Sequence, residues 1–239
     1  MKTADWKKTG VDLFAIQGKW TLWFLPIVFA VYTGLNIFSP AEELGEISFL
    51  TFVRTPANIF MLICGIIIVF AFLTHFVKYG VTRKNYFIGT VISAAGLSLT
   101  IMTVSMILTG GSVALQQVIP LYTQVTPEPF LNTGSQWILP ALASFLSMLL
   151  YYMAGWGIAI GFYRYGGWGG AFAIISAVFL MAISDILWAR EFPIPLPGVP
   201  AVDFSIVPVP FLFLILMMII SGTIWLLYLI TRTTPIKVE

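Results

Sequence analysis

The sequence predicts an all-α, polytopic membrane protein with six transmembrane helices, an N-terminal interfacial helix and both termini in the cytoplasm. Three observations predict it. The chain is 59% hydrophobic and only 9% charged, whereas a soluble domain carries about 25% charged residues. Six stretches are apolar over the roughly 20 residues that a hydrocarbon core about 30 Å thick requires. Ten of the twelve Lys and Arg residues fall on one side of those stretches, and an excess of basic residues marks the cytoplasmic loops. The 239 residues form a single transmembrane domain.

The first element is Thr3–Gly18, expected as an elbow helix lying in the inner interface. Trp6, Leu13, Phe14 and Ile16 can share an apolar flank, with Lys7, Lys8 and Asp12 elsewhere. The chain is expected to turn at Gly18 into the first span, Trp20–Phe38. The others are Ala57–Val77, Tyr86–Leu108, Trp137–Gly161, Gly169–Trp188 and Val207–Ile230. No small-residue cleavage site follows the first span, so it is expected to stay as an anchor.

The connections follow from charge. Lys2, Lys7, Lys8, Lys19, Lys78, Arg83, Lys84, Arg164, Arg232 and Lys237 lie on the inner side, and Arg54 and Arg190 on the outer. The outer loop Ser39–Pro56 is acidic, with Glu42, Glu43 and Glu46. The outer segment Thr109–Gln136 is nearly uncharged, and its Val113–Tyr122 portion is too short to span. The last outer segment carries Pro193, Pro195, Pro197, Pro200, Pro208 and Pro210, which favour a stiff extended cap. A Gly-rich connection, Tyr163–Gly167, joins spans four and five.

Small and weakly polar residues recur at helical spacing. Gly89, Ser93, Gly96, Thr100 and Thr103 share a stripe on span three, and Gly169, Ala173 and Ala177 share one on span five. Such stripes let helices approach closely in lipid. Helix packing accounts for them, and so would the lining of a transport path. The candidate lining is Ser93, Gly96, Thr100, Thr103, Ser144, Ser147 and Tyr151.

Several chemistries lack their residues. His75 is the only histidine and Cys64 the only cysteine, so the chain alone offers no bis-His haem, His-based metal site or intrachain disulfide. There is no HExxH, GxSxG or GxxxxGK[ST] pattern. If ATP drives this protein, another chain must bind it. Asp185 is the one acid within a span, near its outer end and near Arg190. An interfacial acid reaching water or a basic neighbour accounts for it.

The most specific segment joins spans two and three: Lys78, Tyr79, Gly80, Val81, Thr82, Arg83, Lys84, Asn85, Tyr86 and Phe87. Gly80 permits a sharp break after span two, and Thr82 can cap the next helix. Arg83 and Lys84 then sit at the inner surface, with Tyr86 and Phe87 entering the interface. The run from Gly80 to Phe87 resembles the segment after the second span in membrane subunits of type-2 ABC transporters, especially the small permeases of Gram-positive bacteria. The layout of an elbow helix, six spans and inner termini is similar too.

The resemblance implies a bacterial plasma-membrane permease that is not itself an enzyme. Lys78 to Phe87 would be the coupling loop held by a cytoplasmic ABC ATPase. Two ATPase copies, carrying ATP and Mg, would work with two permease subunits, as a homo- or heterodimer surrounded by membrane lipids and without nucleic acid. The implied cargo is an amphipathic peptide (bacteriocin, lantibiotic or toxin-like) or a lipid-like molecule, moved outward. Two other classes remain open at this point: a membrane-embedded enzyme acting on lipid through Asp185, Tyr151 or Tyr152, and a non-catalytic immunity or scaffold protein.

Overall fold

A computed structural model describes residues 6–38, 48–116, 137–189 and 207–235. Every regular element among them is helical: α1 (Trp6–Phe38), α2 (Phe49–Ile67), a π-helical turn (Ile68–Leu73), α3 (Thr74–Lys78), α4 (Arg83–Gln116), α5 (Ile138–Ala189) and α6 (Val209–Arg232). Five helices, counting α2 through α3 as one, are long and apolar enough to cross a membrane.

The 52 residues of α5 do not form one rod. Gly166 has φ 68° and ψ −154°, backbone values that only glycine adopts readily. The two limbs fold back antiparallel on either side of it. A Cβ on Gly161 would stand 2.6 Å from the Ala173 Cβ, and one on Gly170 would meet the Phe162 ring. Farther from the turn, the Tyr151 hydroxyl bonds Asp185 and Ser147 lies beside Ser184. The expected Gly-rich connection is therefore a turn of almost no length.

No turn occurs at Gly18. The expected elbow, from Trp6 onward, is the first part of one continuous 33-residue helix. Glycine costs a helix interior only about 1 kcal/mol, and tertiary packing outweighs that cost here. Thr9, Leu13 and Gln17, four residues apart, are all buried. A Cβ on Gly10 would lie 3.3 Å from the Gly89 carbonyl oxygen, so the start of α1 packs closely on α4. Lys19, expected at the inner flank of a span, is instead an exposed residue in mid-helix. No described residue has an atom within 4 Å of a Cβ at Gly18. Gly18→Ala is therefore expected to raise stability by about 0.5–1 kcal/mol, read as a higher melting temperature in detergent. A fall would mean that the chain needs glycine's freedom at this point.

Other boundaries also move. Ser48 caps α2, its Oγ accepting from the Thr51 N–H at 3.3 Å, so the helix begins seven residues before Pro56. The expected outer loop is thus helical from Phe49. Helix α4 runs past Leu108 to Gln116. The remaining parts of both segments expected as outer loops, 39–47 and 117–136, and Pro193 to Pro200 lie outside the described residues.

The helices pack around aromatic and glycine contacts. Along α1, Trp20 faces Phe72, Phe24 stacks on Phe60 at 4.5 Å and Phe29 meets Phe49 edge-on at 5.1 Å, so α1 and α2 run antiparallel. The closest approach joins α2 to the first limb of α5. A Cβ on Gly65 would fall 2.1 Å from the Tyr152 carbonyl oxygen, and one on Gly155 would fall 2.1 Å from that of Leu62. Tyr152, Trp156, Met61 and Ile68 are fully buried around this notch.

Candidate functional site

The segment between α3 and α4 is built by local capping. Gly80, at φ 87°, ends α3 with a pair of backbone bonds: Val81 N–H to Phe76 O at 3.1 Å and Gly80 N–H to Val77 O at 3.0 Å. This is a Schellman end, with Val81 buried as its apolar contact. Thr82 then opens α4, its Oγ1 accepting from the Asn85 N–H at 3.2 Å. The whole connection is the short run Tyr79 to Thr82, with no separate helix of its own.

Within Lys78 to Phe87 the exposed side chains are Lys78, Tyr79, Thr82 and Lys84, while Arg83 and Asn85 are half-buried. Tyr86 and Phe87, expected at the interface, are buried. The Tyr86 hydroxyl donates to the Ile68 carbonyl at the start of the π turn. Phe87 packs on Trp156 and meets Tyr228 of α6 edge-on. They anchor the turn to the bundle rather than present a surface.

Three segments converge at this end. An Arg83 Nη1–H donates to the Arg232 carbonyl at 3.2 Å. An Arg164 Nη1–H donates to the Ile230 carbonyl at 3.1 Å and to Thr233 Oγ1. Both guanidinia thus bind the last turn of α6, where free carbonyls and the negative end of the helix dipole favour cations. Arg83, Lys84, Phe87, Tyr228 and Arg232 line a cleft of about 310 Å³. Lys8 and Asp12 of α1 line another cavity with His75, Tyr79 and Val81, so the start of α1 belongs to the same end. Seven of the nine described basic residues gather there; Lys19 and Arg54 are elsewhere. Composition alone could not reveal that Arg164 and Arg232 share a site with Arg83, because sequence gives the side of each loop and not its neighbours.

The candidate lining residues lie on two helices, α4 and α5. Gly96 packs against the Phe14 ring of α1. Thr100 and Thr103 hydroxyls bond their own helix, at the Gly96 and Leu99 carbonyls, and Ser93 is buried. Ser144, Ser147 and Tyr151 lie on the first limb of α5, and Ser144 and Ser147 are buried. Ser147 accepts from the Trp188 indole at 2.9 Å. Of the span-three stripe, Gly89 and Gly96 pack on α1, Ser93 and Gly96 also line a cavity of about 350 Å³ with Trp6 and Phe14, and Thr103 is exposed.

Two polar groupings join Tyr152, Tyr151 and Asp185 to residues that the sequence left apart from them, Gln17 and Arg54. Gln17 is fully buried; its Nε2 lies 3.5 Å from the Cys64 carbonyl and 3.3 Å from the Tyr152 hydroxyl. Arg54, far from the basic end, lies over the Trp188 ring at 5.9 Å. Beside it the Tyr151 hydroxyl donates to Asp185 Oδ2 at 2.9 Å. Asp185 thus has a tyrosine partner and, in Arg54, a basic neighbour; Arg190 lies outside the described residues. Among the described residues no group of three His, Cys, Asp or Glu could hold a metal. No protein-family model, curated protein or solved structure matches this chain.

Proposed function

We propose that this chain is the permease half of an ATP-driven exporter in a bacterial plasma membrane, working as a dimer with a separate ATPase. The observation that carries the proposal is the basic end. Arg83 on the Lys78–Phe87 connection and Arg164 at the Gly166 fold-back both hold the last turn of α6. A partner pressing on Tyr79 and Lys84 would therefore move α4, α5 and α6 together, as a coupling element requires. The resemblance of Gly80–Phe87 to type-2 ABC permeases supports the same reading.

The fold-back at Gly166 supports six crossings, since each limb of α5 exceeds the roughly 20 residues that a crossing needs. An even number puts both termini on one side, and the gathered cations favour the cytoplasm. The surrounding apolar faces suit an amphipathic peptide or a lipid-like cargo. The test is co-purification of the tagged chain from its own membranes. An accompanying ATPase with a phosphate loop, whose turnover depends on this chain, supports export. A chain that purifies alone at full stability points to a scaffold.

A membrane-embedded enzyme remains the second reading, because Tyr151 and Asp185 form a hydrogen-bonded pair. Asp185→Asn separates the two. The amide still accepts from Tyr151, so export-coupled ATPase turnover is expected to stay within about twofold of wild type. A general base would be lost altogether, at about 10²–10⁴-fold in rate.

A further inference from the structure

An apolar groove runs along the α5 hairpin and α6, from the Gly166 turn toward the middle of the bundle. Its volume is about 610 Å³, within the range of ligand clefts. Gly161, Gly169, Ala173 and Ala177 are among the small residues that line it, with Trp168 and Leu226 among the large ones. From Gly169 to Leu180 it extends about 17 Å by helical rise, close to half of a hydrocarbon core about 30 Å thick. Among the described residues its hydroxyls other than Tyr165 are already bonded within their own helices: Ser176 to the Phe172 carbonyl and Thr223 to the Ile219 carbonyl. The interior therefore asks for hydrocarbon.

The mouth differs. Tyr165 and Ile230 line the groove at its turn end. The Arg164 guanidinium lies over the Tyr165 ring at 4.9 Å and bonds the Ile230 carbonyl through Nη1. Both of its bonds to α6 use that one nitrogen, so the rest of the fork is not needed for them. A cation thus stands where a one-leaflet groove opens.

We propose that this groove holds one acyl chain of an anionic phospholipid of the inner leaflet, its phosphate facing Arg164. The inference rests on the reading that the Gly166 turn faces the cytoplasm. The phosphate supplies charge for the guanidinium, and the acyl chain covers the apolar interior. Binding there would hold the hairpin against α6 at the end where a partner pushes.

The experiment is native mass spectrometry of the full chain released from nanodiscs of equal phosphatidylglycerol and phosphatidylcholine. Wild type is expected to retain one phosphatidylglycerol in preference to phosphatidylcholine. Gly157 lines the groove, and among the described residues a Cβ there meets a Leu227 methyl at 3.9 Å and nothing nearer. Gly157→Leu fills the space at little cost to the fold, and retained lipid is expected to fall about tenfold. Arg164→Gln is expected to keep a lipid but to lose about fivefold of the preference for phosphatidylglycerol. Undiminished lipid in Gly157→Leu at an unchanged melting temperature overturns the site, as does a lipid-free dimer joined through this face. Gly167→Cys, labelled with a membrane-impermeant maleimide, reads the orientation separately. Labelling from outside overturns both the inner-leaflet assignment and the topology; protection from outside with no bound lipid overturns the lipid site alone.

Discussion

Gly155→Leu is expected to yield no folded protein. The Gly155 and Gly65 positions form a reciprocal notch, each facing a backbone carbonyl of the other helix. Without side chains, the helices come close enough for backbone contact and dispersion, the main sources of helix association in lipid. A Cβ 2.1 Å from the Leu62 oxygen cannot be relieved by a rotamer change, because the obstacle is main chain. The methyl of Gly155→Ala already forces the helices apart, at about 1–3 kcal/mol. Leucine adds three carbons where Trp156, Tyr152 and Met61 leave no room, and the loss exceeds the margin of about 5–15 kcal/mol only in combination with the contacts that separation breaks. Size-exclusion profiles and melting curves in detergent measure both. Gly222→Leu is the internal control, since no described residue comes within 4 Å of a Cβ there; it should behave as wild type. A monodisperse Gly155→Leu with a wild-type melting temperature would mean that the two helices do not meet at this notch.

Which parts of the fold were readable depended on how local their causes are. The break at Gly80 and the start at Thr82 were legible because capping uses residues within one turn of each other. The fold-back near Gly166 was legible for the same reason. The continuity of α1 was not: Gly18 permits a turn, and whether one occurs depends on Gly10 and Phe14 meeting Gly89 and Gly96 on a helix some 80 residues away. The glycine stripe on span three was visible, yet the tightest contact belongs to two glycines outside it. Gly65 and Gly155 become a pair only once α2 and α5 are laid side by side. The candidate site divides in the same way. Lys78 to Phe87 stood out as a basic and aromatic run, but Tyr86 and Phe87 are buried because the π turn and α6 receive them. The contribution of Arg164 and Arg232 needed the third dimension.

That division of labour within the connection decides how it should respond to charge reversal. If the proposed ATPase docks on this end, Arg83→Glu with Lys84→Glu is expected to cost at least about tenfold in its retention while leaving membrane insertion intact, because reversed charges repel a partner that binds cations. The two residues contribute differently. Arg83 is half-buried and bonds the end of α6 at 3.2 Å, so Arg83→Gln should lower stability by about 0.3–1 kcal/mol through the lost dipole and capping interaction. Lys84 is exposed, so Lys84→Glu should leave the melting temperature unchanged and still weaken retention. Salt provides an independent check: contacts between exposed charges are screened over about 8 Å at physiological ionic strength, so wild-type retention should fall as salt rises, and the Lys84→Glu variant should show a shallower dependence. Pull-downs of the tagged chain with the proposed ATPase, run across a salt series, read all of this at once. If Lys84→Glu keeps the ATPase at the wild-type level in low salt, the basic end serves only to tie α4, α5 and α6 together, and the partner docks elsewhere.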